Sequence, residues 1–380
     1  MKLPAIIFTV LITILGNVYG QVKIRLFANQ KPDWAIFNVT AGEYEINVMR
    51  GKKLSVTADD LVFISKYHHQ LVIKKNNTPG LIADSVIISG ITDFDSFSMR
   101  INGNSSFRQY YSGDLKCKPD LETMVFINGC DEEKYIAGVV QAEGGTGKNI
   151  EYFKTQAVIA RTYMYRYIDK HKHDGYNLCD NTHCQAFNGL PTDSILNKAA
   201  MDTKGLVILD RDSMLIISAF HSNCGGETSS AEDVWLTSQS YLKKVKDPYC
   251  SVSNNAVWEK NIPGNEWIDY LRNSGYAGQT GDLSVFRFLQ ESRVPEYKIT
   301  SFSMPLRNIR SEMNLRSTFF SVIPVDNEII LTGRGYGHGV GLCQEGAMVM
   351  AMKGFNYKKI IDFYYSGVII ADIKHAVPAK

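Results

Sequence analysis

Long apolar runs are nearly absent from this chain. The longest, Ile6 to Leu15, covers about ten residues, against the roughly 20 that a helix needs to cross a bilayer. A membrane-spanning mature protein is therefore not expected. Blocks of like charge are missing too: 41 basic against 39 acidic residues leave a net charge of +2. Without a basic stripe there is no electrostatic footprint for nucleic acid. Internal repeats are absent, and no HExxH-like pair occurs, which weighs against a zinc hydrolase built on His171, His173 and His183. Nor does a cysteine follow the N-terminal apolar stretch, so a lipidated N-terminus is not indicated. Disorder has no support either, since 44% apolar and 21% charged residues is ordinary globular composition.

What is present begins with a leader. Met1 and Lys2 precede the apolar stretch, and Val18-Tyr19-Gly20 places residues a signal peptidase accepts before Gln21. Residues 1–20 are read as a signal peptide, and the chain as exported, periplasmic or wall-associated or secreted. The remainder suffices for one large or two medium domains. From 21 to 113 short β-branched and aromatic runs such as VKIRLF, YEINVM and QLVIKK alternate with turns, a β-rich N-terminal region. Residues 114–380 mix helices and strands, so the fold class is α+β. Seven cysteines in an exported protein favour disulfides, with an odd one left over. Proximity pairs Cys117 with Cys130 and Cys224 with Cys250, leaving Cys179, Cys184 and Cys343.

The most informative segment is Tyr135 to Arg161, YIAGVVQAEGGTGKNIEYFKTQAVIAR. An apolar run ends on Glu143, glycines follow, and a helix starts near Asn149, a good N-cap. Ile150, Phe153, Ala157, Met164 and Ile168 form one apolar stripe, with Gln156, Ala160 and Tyr163 on its flank. Beside an apolar run a carboxyl is desolvated and stays protonated towards neutral pH, which a general acid requires. The alternative for Glu143 is a solvated loop carboxylate or a charge at a helix N-terminus. Downstream, strand-like Gly205 to Leu209 and Met214 to Phe220 lead to HSNCGGETSSAEDVW at His221. A strand Glu328 to Leu331 leads through GRGYGHGVGLCQEGA into a helix from about Leu342 to Lys353, and Tyr357 to Tyr364 makes a further short helix.

These stretches resemble the SpoIID/LytB family. Tyr135 to Glu143 and Lys154 to Tyr163 are similar to its Tyr-Leu-x-Gly-Val-Val-x-x-Glu-Met-Pro and Lys-x-Gln-Ala-Val-x-Ala-Arg-Thr-Tyr lines. Gly144 and Gly145 stand where that family has Met-Pro. His221 to Thr228 resembles its His-Ser-x-x-Gly-Gly-x-Thr, and Gly335 to Ala347 its Gly-x-Gly-His-Gly-Val-Gly-Met-Ser-Gln-x-Gly-Ala, with Leu342-Cys343 replacing Met-Ser. The resemblance implies a SpoIID-like catalytic core around a cleft, interrupted by an insertion at about 250–311. It also implies a lytic transglycosylase acting on peptidoglycan glycan strands or, in the LytB branch, an enhancer of a cell-wall amidase.

On that reading Glu143 is the catalytic acid. Gly225 and Gly226, with the Gly335 to Gly341 turn, let a sugar approach the backbone, unless they serve tight turns alone. His221, Ser222 and His338 on those turns are candidate sugar contacts, with strand-end structural histidines as the alternative. Gln156, Arg161 and Gln344 are further candidates for substrate binding; for Arg161 the alternative is a buried ion pair. In the loop His171 to Gly189, His173, Cys179 and Cys184 are the expected ligands of a structural Zn²⁺, while Cys179 and Cys184 alone suit a small disulfide. Asp174 and Gln185 match family positions of unassigned role. Tyr163, Tyr165, Tyr167, Phe363, Tyr364 and Tyr365 are candidates for sugar stacking or for core.

Overall fold

Period-two burial decides the N-terminal half. Gln21–Leu26 buries Val22, Ile24 and Leu26 and turns Gln21 and Lys23 outward, and Trp34–Ala41 buries alternate residues in the same way. Strands of this kind cover a core with one face. The computed structural model describes residues 21–48, 52–102, 109–145, 149–250, 255–300 and 302–377. The signal peptide expected at 1–20 lies outside the described residues.

Two sheets result. One has seven strands in the spatial order Leu178–Cys179, Gln21–Leu26, Met124–Asp131, Asp114–Pro119, Val86–Gly90, Tyr44–Val48, Lys52–Val56. Only its edge strand Leu178–Cys179 runs parallel to its neighbour, pairing Ile24 with Leu178 and Arg25 with Cys179. The other has six, from Gln109–Ser112 through Trp34–Ala41 to Leu81–Ala83. Between them Phe37 stacks on Phe97 with ring centroids 4.9 Å apart, and Tyr44 packs edge-on against both.

The strand Met124–Asp131 is buried along nearly its whole length and delivers the chain into helix α1 (Glu132–Glu143). Asp131 starts that helix by accepting the N–H groups of Glu133 and Lys134. The apolar run before Glu143 is thus helical, and it buries Tyr135, Ile136, Val139 and Val140. Helix α2 (Ile150–Arg166) begins at Asn149, whose side chain accepts from Glu151 N–H, and α3 (Ser194–Asp202) packs on both α1 and α2.

The C-terminal helices are Gln344–Met352 and Tyr357–Tyr364. The first starts two residues later than its sequence implies, because Leu342–Cys343 is held extended by parallel pairing with Phe220–His221. That pairing is also all that forms of the strand expected over Met214 to Phe220, apart from one bridge at Leu215. A second, smaller core collects Trp267, Leu271, Phe286, Tyr297, Val322, Ile329 and Leu331 around the strands Val257–Pro263, Glu328–Arg334 and Phe320–Val325. It extends past residue 311, where the insertion was expected to end. Arg293 fastens it to the rest: its guanidinium donates to the carbonyls of Cys224 and Glu227 over 2.8 and 2.6 Å. No described helix is long and apolar enough to cross a membrane.

Candidate active site

Glu143 is the last residue of α1 and is half-buried. Its Oε1 accepts the Ala186 N–H at 2.7 Å, and its own carbonyl accepts from Gln344 Nε2 at 2.6 Å. Burial raises its carboxyl above the usual range, and the Ala186 N–H partly opposes that rise. A helix C-terminus also disfavours negative charge, which acts in the same direction. Among the described residues, no second carboxylate contributes to the shift.

The loop that carries Ala186 can reach Glu143 because α1 has no side chain at Gly138. A Cβ there would lie 2.5 Å from Cε2 of Phe187 and would also meet the Gly189 carbonyl. Phe187 instead packs on Tyr135, with centroids 5.1 Å apart. Gln185, next to Ala186, is buried; its Oε1 accepts from Tyr135 Oη at 3.4 Å, and its Nε2 has no partner among the described residues. Sequence reading left Gln185 and Ala186 without a role. A peptide N–H leaves no trace in residue type, so that contact was not legible.

Upstream in the same loop, one ligand atom each from His171, Cys179, His183 and Cys184 lies within 4.8 Å of the others. Cys184 Sγ is 3.5 Å from His171 Nε2 and 3.7 Å from His183 Nδ1, and Cys179 Sγ is 3.6 Å from the same His183 nitrogen. Two thiols and two imidazoles at this spacing fit a tetrahedral zinc site. His173, expected among the ligands, is exposed on the short turn Lys172–Asp174 and outside the group. On a 3-10 turn residues two apart point in different directions, and it is His171 that faces Cys184. None of the seven cysteines is bonded to another. Cys117 with Cys130 was a poor expectation: Cys117 faces Phe126 in the ladder, four positions from Cys130.

The other expected site residues divide. Gln344 reaches Glu143, but through its backbone carbonyl, so it holds the helix end. Ser222 joins a polar network in which Ser222 Oγ, Asn223 Nδ2 and Asn255 Nδ2 all reach Glu345, at 3.3, 2.5 and 2.6 Å. Glu345 N–H closes it on the Ser222 carbonyl. The His221 and His338 rings lie with centroids 5.5 Å apart, tilted at 58° to one another. His221 Nδ1 lies 3.1 Å from the Val340 carbonyl, and Val340 N–H donates to His338 Nδ1 at 3.0 Å. Burial holds His221 well below the ordinary imidazole range, helped by the charge of Arg293, and burial lowers His338 to about 4. Both rings are neutral, and His221 Nε2 is a buried acceptor without a partner among the described residues.

Two expectations need correction. Arg161 is fully buried, ion-paired with Glu133, and donates to the carbonyls of Ala200 and Leu206 at 3.1 and 3.2 Å; it fastens α1 to α2 and α3 and cannot meet a substrate. Gln156 is 2% exposed and donates to Tyr152 Oη, which itself donates to the Gly144 carbonyl, so it supports the Glu143 turn from behind. Of the aromatic candidates, Tyr364 and Tyr365 are buried and bonded inward to Asp247 and the Ala219 carbonyl. Tyr163 is half-buried, near Glu143 and the Cys179/Cys184 pair. Gly225 packs on Arg334, while Gly226 opens on a cleft of about 810 Å³ shared with Glu227, Lys246, Glu291 and Arg334. That cleft is not lined by Glu143.

Comparison with known proteins gives the following. A family model described as "Stage II sporulation protein" matches residues 121–209, which span α1, α2, the loop His171 to Gly189 and α3. The chain is 31% identical over 357 residues to an uncharacterized protein of Brachyspira hyodysenteriae, covering 92% of this chain and 95% of that one. It is 30% identical over 258 residues to Stage II sporulation protein D of Bacillus amyloliquefaciens, covering 63% of this chain and 74% of the relative. To the Amidase enhancer of Bacillus subtilis (strain 168) it is 30% identical over 289 residues, 62% of this chain and 40% of the relative.

Proposed function

This chain belongs to the SpoIID family, and from that premise we propose that it is an exported lytic transglycosylase that cleaves the MurNAc–GlcNAc strands of peptidoglycan, with peptide-stripped strands as substrate. The observation that carries the reading is Glu143: a half-buried carboxyl, raised by desolvation, at a helix end fixed from two sides by Ala186 and Gln344. Such a group keeps its proton long enough to donate it.

One carboxyl suffices for this reaction. Glu143 gives its proton to the glycosidic oxygen as the bond from MurNAc C1 breaks. The N-acetyl group of the substrate can assist departure, which removes the need for a second carboxylate. The MurNAc 6-hydroxyl then closes on C1, and its proton returns to the Glu143 carboxylate. The products are a 1,6-anhydroMurNAc end and a free GlcNAc 4-hydroxyl, with no water consumed. His171, Cys179, His183 and Cys184 would hold Zn²⁺, which supplies a structural cross-link. The residues from Cys184 to Ala186 would carry that rigidity to the Glu143 carboxylate.

Likeness to a protein named for enhancing an amidase favours a second reading, in which the chain binds glycan and stimulates a cell-wall N-acetylmuramoyl-L-alanine amidase without turning over. Mass spectrometry of peptide-free strands incubated with the mature protein separates the two. Anhydro ends made by wild type and not by Glu143→Gln support the transglycosylase, and reducing ends replace it with a hydrolase. Intact strands with a stimulated amidase leave the second reading standing.

A further inference from the structure

Downstream of the loop that reaches Glu143, a second group of metal-capable side chains converges, and nothing in the reaction above uses it. Cys224 follows the His221 turn, Asp247 and Cys250 sit on one later turn, and Cys343 precedes the helix Gln344–Met352. All four are at most 1% exposed, and one ligand atom from each lies within 4.8 Å of all the others. We propose that Cys224, Asp247, Cys250 and Cys343 form a second, wholly buried metal centre that takes a thiophilic divalent ion, Zn²⁺ in the first instance.

The donors select the ion. Three sulfurs and one carboxylate oxygen suit tetrahedral Zn²⁺ and do not suit Mg²⁺ or Ca²⁺. Around such an ion, bonds of about 2.3 Å to sulfur and 2.0–2.2 Å to oxygen place ligand atoms about 3.5–3.8 Å apart. Here Cys224 Sγ lies 3.3 Å from Cys250 Sγ and 3.2 Å from Asp247 Oδ2. These two pairs need to spread by only tenths of an ångström, and the remaining pairs, all within 4.8 Å, to close by at most about 1 Å.

The surroundings are those of bound thiolates. Peptide N–H groups of Gly226, Cys224 and Gly346 point at sulfur, the first at Cys250 over 3.2 Å and the others at Cys343 over 3.3 and 3.4 Å. Hydrogen bonds of this kind orient first ligands and spread their charge. Asp247 is oriented on both oxygens, Tyr364 Oη donating to Oδ2 at 2.9 Å and Tyr249 N–H to Oδ1 at 2.8 Å. It can come this close to the helix only because residue 346 is glycine; a Cβ there would collide with its carboxylate. Yet among the described residues no basic side chain is ion-paired with Asp247. A buried carboxylate without a cation is costly, and a metal ion supplies one.

A disulfide between Cys224 and Cys250 is the competing use of the same atoms. It would need the sulfurs at about 2.05 Å, and it would leave Cys343 and Asp247 converging on nothing. The metal uses all four. Binding releases the thiol protons and links the His221 turn to the first turn of the helix that bears Gln344, the residue that holds the Glu143 carbonyl. The inference stands whether or not Glu143 is a transglycosylase acid.

Native mass spectrometry and elemental analysis of the full mature chain test it, with Zn²⁺ and Co²⁺ as probes. The decisive variant is Cys179→Ser/Cys184→Ser, which disables the loop site. It is expected to retain one zinc equivalent and, on cobalt exchange, a sulfur-to-cobalt charge-transfer band. Adding Cys343→Ser and Cys224→Ser is expected to remove both. Wild type supplies a second measurement that does not depend on a variant folding: Cys224, Cys250 and Cys343 should resist alkylation until a chelator is added. A loop-disabled variant that folds without metal overturns the proposal. So does wild type in which these thiols alkylate freely without chelator, or in which Cys224 and Cys250 are recovered as a disulfide.

Discussion

The peptide N–H of Ala186 reaches the carboxylate of Glu143 across 43 residues of sequence, at 2.7 Å. This bond joins the end of helix α1 to the loop bearing His171, Cys179, His183 and Cys184, so the position and proton affinity of the acid depend on how that loop is held. An N–H donated to a carboxylate favours its charged form and offsets part of the desolvation that raises Glu143.

Replacing the acid separates chemistry from folding. Glu143→Gln is expected to lower the rate of glycan cleavage by about 10²- to 10⁴-fold, the usual worth of a positioned general acid, with strand binding retained. Because the protonated form is the active one, the wild-type rate falls on the alkaline side as pH rises through the raised carboxyl value. A carboxyl raised in the fold contributes stability that is fully present below the ordinary carboxyl range and is lost as pH rises through the folded value. At neutral pH, Glu143→Gln should therefore be at least as stable as wild type in urea unfolding.

Gly138→Ala tests the approach of the loop. In an open helix this change stabilises by about 1 kcal/mol. Here the new methyl meets Phe187 and the Gly189 carbonyl, and backbone cannot step aside cheaply, so a net loss of about 1–3 kcal/mol is expected. Displacing the loop also withdraws the Ala186 N–H. Glu143 then rises further, and the alkaline limb of the rate profile moves to higher pH while the maximum rate drops. A stabilised variant with an unchanged profile would show that the loop is not held by this contact.

The histidine pair gives an acid-side prediction. Both rings are neutral in the fold, and His338 is lowered to about 4. Groups lowered in this way contribute stability that is present above the ordinary imidazole range and is lost as pH falls through the folded values. The melting temperature should decline from about pH 6.5 downward, and His338→Gln should flatten that decline. An unchanged slope in the variant would mean that His338 is not lowered in the native state.

How much of this was legible follows from how local each signal was. The strands Gln21–Leu26 and Trp34–Ala41 announce themselves by alternation, and α2 by Asn149 and its apolar stripe, because those signals lie within one element. Glu143 stood out for the same reason, at the end of an apolar run. His171 in place of His173 could not be read, since the choice depends on which residue of a single turn faces Cys184. The strand expected over Met214 to Phe220 did not form because pairing is confined to one bridge at Leu215 and to Phe220–His221 opposite Leu342–Cys343, with nothing continuous between them. Arg161 read as a ligand-binding group because its partner, Glu133, lies 28 residues away on another helix.

Arg161 supplies the sharpest test of that correction. Its guanidinium is fully buried, pairs with Glu133, lies 3.7 Å from Glu132, and satisfies two carbonyls of the segment after α3 and its last turn. Removing one partner of a buried pair strands the other charge, which typically costs about 3–5 kcal/mol, whereas removing both costs far less. Arg161→Met alone is expected to lose stability on that scale, and Arg161→Met/Glu133→Gln to recover a large part of it, with a coupling between the two sites of about 1–3 kcal/mol. Denaturant unfolding of the two single variants and the double variant measures this directly. The affinity of the folded Arg161→Met fraction for glycan should be that of wild type. Intact stability with weakened glycan binding would return Arg161 to the substrate cleft.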